Sequence, residues 1–145
     1  MRFARMDDLT WCAGVDRDIG RAAVRRKIGL REIVLSEVGG ERVGYLRLEY
    51  LWSKIPYVGL IRVPEKFRRL GVGRAIVDFL GELLRERGYK VLMSSSQVNE
   101  PSAQAWHRAV GFEECGIIAG INENGIGEVL FRRVLGKQMR GREGD

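Results

Sequence analysis

A glycine-rich turn at the head of an amphipathic helix restricts this chain more than any other feature. Arg68-Arg69-Leu70-Gly71-Val72-Gly73-Arg74-Ala75 follows an apolar run, Tyr57-Val58-Gly59-Leu60-Ile61-Arg62-Val63, and opens a segment in which Val72, Ile76, Phe79, Leu80, Leu83 and Leu84 recur at helical spacing. Pro64 cannot donate to a strand ladder and ends the first run. Gly88 stands where a helix C-terminus favours glycine. The order is strand, turn, helix. Glycines let a backbone pass close to a ligand, and consecutive N–H groups at a helix N-terminus, aided by the macrodipole, suit phosphate oxygens. Arg68, Arg69 and Arg74 add fixed positive charge of the kind a pyrophosphate needs. Two other phosphate motifs are excluded. A dinucleotide fingerprint needs a third glycine where Ile76 stands and an acid where Met93 stands, and the Gly-Lys-Ser/Thr of a P-loop is absent.

The remaining chain supplies elements around that unit. A short strand is predicted over residues 2–5, then a helix capped at Asp7-Asp8 and carrying Leu9, Trp11, Cys12 and Val15, then a second helix over 19–28. Ile33-Val34-Leu35-Ser36-Glu37-Val38 reads as a strand closed by a Gly39-Gly40-Glu41 hairpin turn. The run 43–52 alternates, with Val43, Tyr45, Arg47 and Glu49 on one face, and Pro56 is expected to close the next turn. Gly59 inside the following strand suggests a bulge or a close backbone approach. A strand at 91–93 runs into Ser94-Ser95-Ser96, and Pro101 suits the first turn of a helix over 100–109. Two last strands, 112–118 and 128–134, are expected around an Asn124-Gly125 turn. Alternation of strands and helices predicts an α/β protein: a mixed sheet of about six to seven strands flanked by about four helices. One domain over residues 1–135 is expected, with a charged, glycine-containing tail over 136–145 that frays.

The chain of 145 residues carries 25 Lys+Arg against 19 Asp+Glu, a net charge of +6, which favours an anionic partner. No apolar run approaches the ~18 residues of a membrane span. The N-terminus lacks the apolar core of a signal peptide. Cys12 and Cys115 stand far apart without metal spacing, so the reading is a cytoplasmic chain with buried thiols and no metal site.

Val63-Pro64 followed by Arg68-Arg69-Leu70-Gly71-Val72-Gly73-Arg74-Ala75 resembles the signature of the GNAT superfamily of N-acetyltransferases, in which Arg/Gln-x-x-Gly-x-Gly/Ala opens the long central helix. Asn99 and Trp106-His107-Arg108-Ala109-Val110-Gly111-Phe112 resemble its second signature, an Asn followed by an aromatic-bearing helix ending in Gly-Phe. Asn99 stands one residue farther from the Gly-Phe than is usual in the family. The resemblance implies acetyl-CoA as co-substrate and a primary amine, on a small molecule, a peptide N-terminus or a lysine, as acceptor. It implies that Arg68, Arg69, Leu70, Gly71, Val72, Gly73 and Arg74 hold the pyrophosphate. Ile61, Arg62 and Val63 would pair with the pantetheine arm as an added strand does, beside a bulge that Gly59 fits. Asn99 would contact the arm or fix its own loop, and Trp106 would lie at the cofactor.

The implied reaction is direct attack of the amine on the thioester in a ternary complex, helped by proximity. His107, the only histidine, occupies the position where many members have a Tyr near the departing sulfur. It is a candidate general acid, or else a packing histidine. No carboxylate lies on the strand 57–63, so Glu49 is the nearest candidate base, or else an exposed strand position. Tyr50, Trp52 and Tyr57 cluster around Pro56 and are candidates for an acceptor cleft or for core. The stretch from Ser102 to Glu114 looks like aminoglycoside 6′-N-acetyltransferases, which gives a narrower acceptor reading. A non-catalytic acyl-CoA sensor is the alternative. Nucleic-acid binding is disfavoured, because three arginines already belong to the phosphate turn. The oligomeric state stays open, a homodimer being one arrangement.

Overall fold

Helical periodicity and strand alternation in the sequence become four α-helices and seven strands in a computed structural model that describes residues 1–136. In chain order they are β1 (Arg2–Phe3), α1 (Leu9–Val15), α2 (Gly20–Gly29), β2 (Ile33–Val38), β3 (Glu41–Leu51), β4 (Ile55–Arg62), α3 (Val72–Glu86), β5 (Val91–Gln97), α4 (Pro101–Ala109), β6 (Glu113–Ile118) and β7 (Glu128–Val134). The strands hydrogen-bond in the order β1-β2-β3-β4-β5-β7-β6. Pairings β1–β2, β2–β3, β5–β7 and β6–β7 are antiparallel, whereas β4–β5 is parallel, so the sheet is mixed as expected. Of the frayed tail expected over residues 136–145, residues 137–145 lie outside the described residues. Among the described residues no helix is long and apolar enough to cross a membrane.

The chain divides into two compact units. The first combines Met1–Glu49 with Val58–Leu80, and the second combines Tyr50–Tyr57 with the chain from Gly81 onward. In the first unit, residues 43–48 of β3 are buried without a break, because each face of the strand is covered. Trp11, Val15 and Ile19 pack with the buried Leu9, Cys12, Val24, Ile28, Ile33, Leu35 and Tyr45 against one face. Val72 and Ile76 of α3 meet the other at Gly44. In the second unit, direct pairing of Ser94 with Phe131 and of Ser96 with Val129 gives β5 and β7 one shared face, and His107 of α4 packs on it. Gly88, at φ +92, ends α3 as predicted, and Tyr89 N–H returns to Leu84 carbonyl at 3.0 Å.

Several expectations are corrected. Asp8 does not cap α1 with its side chain. Its buried carboxylate accepts from Arg5 N–H at 2.7 Å, from both Arg2 Nη atoms at 2.8 and 3.0 Å and from Arg42 Nε at 2.9 Å. Hydrogen bonding to Arg2 above all holds it well below the usual carboxylate range. The expected Asn124-Gly125 turn, by contrast, is present, as part of a 3₁₀ turn over Glu123–Gly125 in the connection between Ile118 and Glu128. Cys12 is buried but Cys115 is exposed on β6. Pro56 lies inside β4 rather than in a turn. The β3–β4 turn is Leu51 to Lys54, closed by Lys54 N–H to Leu51 carbonyl at 2.9 Å, with Trp52 and Ser53 at φ +52 and +59.

Positive φ at both central residues is what a type I′ hairpin turn requires, and Asn-Gly usually supplies it. Gly39 and Gly40, at φ +57 and +83, meet the same demand in the β2–β3 hairpin without a Cβ. Trp52, which is 79% exposed, meets it with strain and little packing to lose. Replacing Trp52-Ser53 by Asn-Gly is expected to stabilise the protein by about 1 kcal/mol, a rise of roughly 3 °C in Tm. Differential scanning calorimetry checks it, and an unchanged or lower Tm contradicts the strained-turn account.

Candidate functional site

After Val63 and Pro64, a single 3₁₀ turn over Glu65–Phe67 redirects the chain. Arg68 Nε donates to Val63 carbonyl at 2.8 Å, which ties the turn back to the strand end. Arg69 (φ +66) and Gly71 (φ +82) then adopt left-handed conformations, and α3 starts at Val72. The first ladder bond described runs from Ala75 N–H to Gly71 carbonyl at 3.0 Å. The N–H groups of Val72, Gly73 and Arg74 belong to the first turn, ahead of that ladder. A Cβ built on Gly71 would meet nothing within 4 Å, so the space over this backbone is open. Arg68, Arg69, Leu70 and Arg74 are exposed around it. Helix-end N–H groups, a clear approach and flanking guanidinium groups fit a diphosphate.

Gly44 on β3 seats this helix. A Cβ there would lie 2.6 Å from Ile76 Cδ1 and 2.8 Å from Val72 Cγ1, so the first turn of α3 approaches the strand only because position 44 is bare. Its sequence signal was a glycine on an otherwise apolar strand face. Ile61 and Val63 are half-buried and Arg62 exposed, on the same continuous segment as the turn.

Gly59 makes room of a different kind. Its Cβ would lie 2.7 Å from both Arg47 Nη1 and Glu49 Cγ. The next residue, Leu60, packs against the cluster that contains Trp11 and Tyr45. Tyr45 and Arg47 share Asp16 as partner, so consecutive residues of β4 address one layer, and the two-residue alternation breaks as at a bulge. Glu49 is half-buried, not exposed. It accepts from Lys27 Nζ at 2.6 Å and from Arg47 Nη1. Burial pushes its pKa up, but the bonds from Lys27 and Arg47 outweigh that and hold it below the ordinary glutamate value. A carboxylate clamped by two cations is a weak proton acceptor.

The second unit contains His107, Trp106 and Asn99. His107 is 4% exposed, and its ring stacks on Phe131 at 4.5 Å and meets Trp106 and Phe112 edge-on. Nδ1 lies 2.8 Å from Ala103 carbonyl, which can only accept, so Nδ1 carries the proton. Nε2 then accepts from Ser94 Oγ at 2.8 Å. Burial is the chief reason its pKa lies below the ordinary histidine value. These surroundings support a neutral packing histidine, and they disfavour an imidazolium acid. Asn99 is exposed in the turn after β5, where Gln104 Nε2 donates to Gln97 and Val98 carbonyls at 3.2 and 3.0 Å. Gln104 is thus a loop-fixing residue that its sequence position alone did not announce.

Tyr57, read from the sequence as cleft or core, lines up with Ser95 and Glu128, two groups without a role in that reading, on the opposite face of β5. Tyr57 Oη lies 2.5 Å from Ser95 Oγ, and Ser95 Oγ donates to Glu128 Oε2 at 2.6 Å. Asn122 Nδ2 donates to Glu128 Oε1 at 2.9 Å. Tyr50 stacks obliquely on Tyr89 at 6.0 Å. Of the aromatic trio read as a cleft, Tyr57 thus joins a polar chain, Tyr50 packs, and Trp52 forms the strained turn.

Comparison with known proteins agrees with this geometry. The acetyltransferase (GNAT) family matches residues 5–112. An aminoglycoside N(6′)-acetyltransferase type 1 from Stenotrophomonas maltophilia is 32% identical over 103 residues, covering 71% of this chain and 57% of that protein. The chain therefore spans little more than half the length of the curated relative it matches. A ribosomal-protein-alanine N-acetyltransferase from Brucella melitensis has the same fold, with a TM-score of 0.80 at 21% identity over 92% of this chain and 98% of that one. An acetyltransferase of the GNAT family from Bacillus cereus gives 0.76 at 20% identity over 92% and 94%.

His107 offers a measurement independent of these likenesses. Its folded pKa lies below the unfolded value of ~6.5, so the unfolded chain binds the proton first. The stability contributed by the neutral ring is complete above about pH 6.5 and is lost as pH falls through the folded value. Urea unfolding at pH 7.5 and pH 5 is expected to show a larger loss for the wild type than for His107→Gln. Equal losses contradict the buried neutral ring.

Proposed function

The chain belongs to the acetyltransferase (GNAT) family, and on that premise we propose that it transfers the acetyl group of acetyl-CoA to a primary amine. The observation that carries the reading is the turn at residues 68–74, an open anion cradle at the N-terminus of the 15-residue helix α3. Backbone N–H groups of Val72, Gly73 and Arg74 hold the pyrophosphate, and Arg68 and Arg69 neutralise it. Residues 61–63 offer strand backbone to the amides of the pantetheine arm. The break of alternation at Gly59–Leu60 supports that use, because a bulge frees backbone groups that a regular ladder would consume. Asn99, in the loop braced by Gln104, and Trp106, which the resemblance also assigns to the cofactor, belong to the second unit. Acetyl-CoA supplies an activated thioester. The chain's contribution is to hold it in line with the amine, an advantage of entropy and orientation.

Neither Glu49 nor His107 is given a proton-transfer role, for the reasons of charge and burial above. For the acceptor, the 32% identity to an aminoglycoside acetyltransferase makes an amino sugar the first to try. The free thiols Cys12 and Cys115 suit a reducing compartment, and we place the reaction in the cytoplasm.

The test follows free thiol after mixing the protein with acetyl-CoA and kanamycin, a peptide with a free N-terminal alanine, or an N-terminally blocked lysine peptide. Amine-dependent thiol release is expected. CoA binding without release under any amine supports a sensor and overturns catalysis. Gly71→Val, which forces a β-branched residue to φ +82, is expected to raise the Kd for CoA at least tenfold, about 1.4 kcal/mol, measured by calorimetry.

A further inference from the structure

We infer that Tyr57, Ser95 and Glu128 form a one-way proton relay that takes the proton from the acceptor amine, an inference that rests on the acetyl-transfer reading. Hydrogen-bond chemistry fixes the direction. An ionised carboxylate only accepts, so the Ser95 hydroxyl gives its single proton to Glu128 Oε2 at 2.6 Å. With that proton committed, Ser95 Oγ must accept from Tyr57 across 2.5 Å. Tyr57 Oη is left with a lone pair as the entrance of the chain. Asn122 donates to Glu128 Oε1 at 2.9 Å and keeps the other oxygen turned to Ser95.

The two glutamates differ in what binds them. Among the described residues the donors to Glu128 are Ser95 and Asn122, both neutral, whereas those to Glu49 are the cations Lys27 and Arg47. Charge-neutral partners alone hold the Glu128 carboxylate in place among the described residues. Tyr57 on β4 reaches Glu128 through Ser95, and Glu128 tends to raise the pKa of His107 on α4. His107 packs on the Ser94–Phe131 face, and Ser95 stands on the other, so the relay and the packed histidine are separate. Tyr57 also follows residues 61–63 along β4 in the direction away from the phosphate turn.

The step balances. The amine nitrogen forms a bond to the acetyl carbon and releases a proton to Tyr57 Oη, while the C–S bond breaks with its electron pair on sulfur. Tyr57 passes its own proton to Ser95, and Ser95 passes its own to Glu128. Tyrosine and serine end neutral, and the carboxylate ends as a carboxylic acid that returns the proton to solvent.

The experiment compares wild type, Tyr57→Phe, Ser95→Ala and Glu128→Gln with the amine that best releases thiol. General-base loss is expected to lower kcat about 100-fold, to flatten the acid limb of the kcat–pH profile, and to leave KM for the amine and the calorimetric Kd for CoA within twofold. Thermal melting checks folding. If Glu128→Gln does not fold, Ser95→Ala breaks the same chain with the carboxylate intact and decides the matter. An active wild type whose folded Ser95→Ala or Glu128→Gln keeps kcat within threefold and an unchanged pH profile overturns the relay alone. A wild type that releases no thiol with any amine overturns the acetyl-transfer reading and the relay together.

Discussion

A chain of buried charge organises the first unit. Asp16, fully buried after α1, accepts from Tyr45 Oη at 2.6 Å and from Arg47 Nε at 2.7 Å. Arg47 continues to Glu49, Glu49 to Lys27, and Lys27 to Glu32 at 2.8 Å and to Leu48 carbonyl at 2.7 Å. Burial of such groups is costly, and removing one partner from a buried pair typically costs about 3–5 kcal/mol because the other charge is stranded. The return is fixed geometry. The residue after α1, a residue of α2 and the middle of β3 are fastened at stated atoms. The network also needs volume, and Gly59 provides it, since any side chain there would meet Arg47 and Glu49.

From that requirement the proposed cofactor side of the unit follows. With Gly59 bare and Leu60 turned to the same layer, β4 loses its regular alternation just before residues 61–63. The strand then reaches Pro64, and the 3₁₀ turn at Glu65–Phe67 leads into two left-handed residues at Arg69 and Gly71. Gly44 lets the first turn of α3 lie against β3, so the direction in which the helix N-terminus points is set by packing. Two glycines on neighbouring strands thus serve opposite needs: one admits charged side chains, and the other admits a helix.

Much of this was legible in the sequence where a residue type carries a local rule. Gly71 and Gly73 before a helical repeat, Pro64 after a strand, Gly39-Gly40 between alternating runs and Gly88 after the last helical leucine each act within a few residues. What was not legible depended on partners distant in sequence. Trp52-Ser53 has no turn signal, and Pro56 displaced the expected turn by a few residues; the hairpin register imposes left-handed φ on residues that do not favour it. Asp8 looks like a helix cap, yet arginines at positions 2 and 42 take its carboxylate. The buried Asp16 and Lys27 resemble ordinary charged surface residues until their partners are known.

The same limit decides the search for a base. Counting acids near the expected cofactor strand singles out Glu49, because proximity in sequence is all that such counting can use. Glu49 and Glu128 are the same chemical group with opposite surroundings: two cations in one case, a serine and an asparagine in the other. Coulomb attraction that stabilises an ion pair also removes the drive to accept a proton, so the acid best anchored in the fold is the one least fitted to catalysis. Hydroxyl chains have the converse property. Tyr57 and Ser95 are joined through their hydroxyls, and in the proposed relay a proton passes only because each must donate to the next. Function in this fold therefore has to be sought where the charges are left unbalanced by design of the neighbours, and β5 with β7 provides such a place.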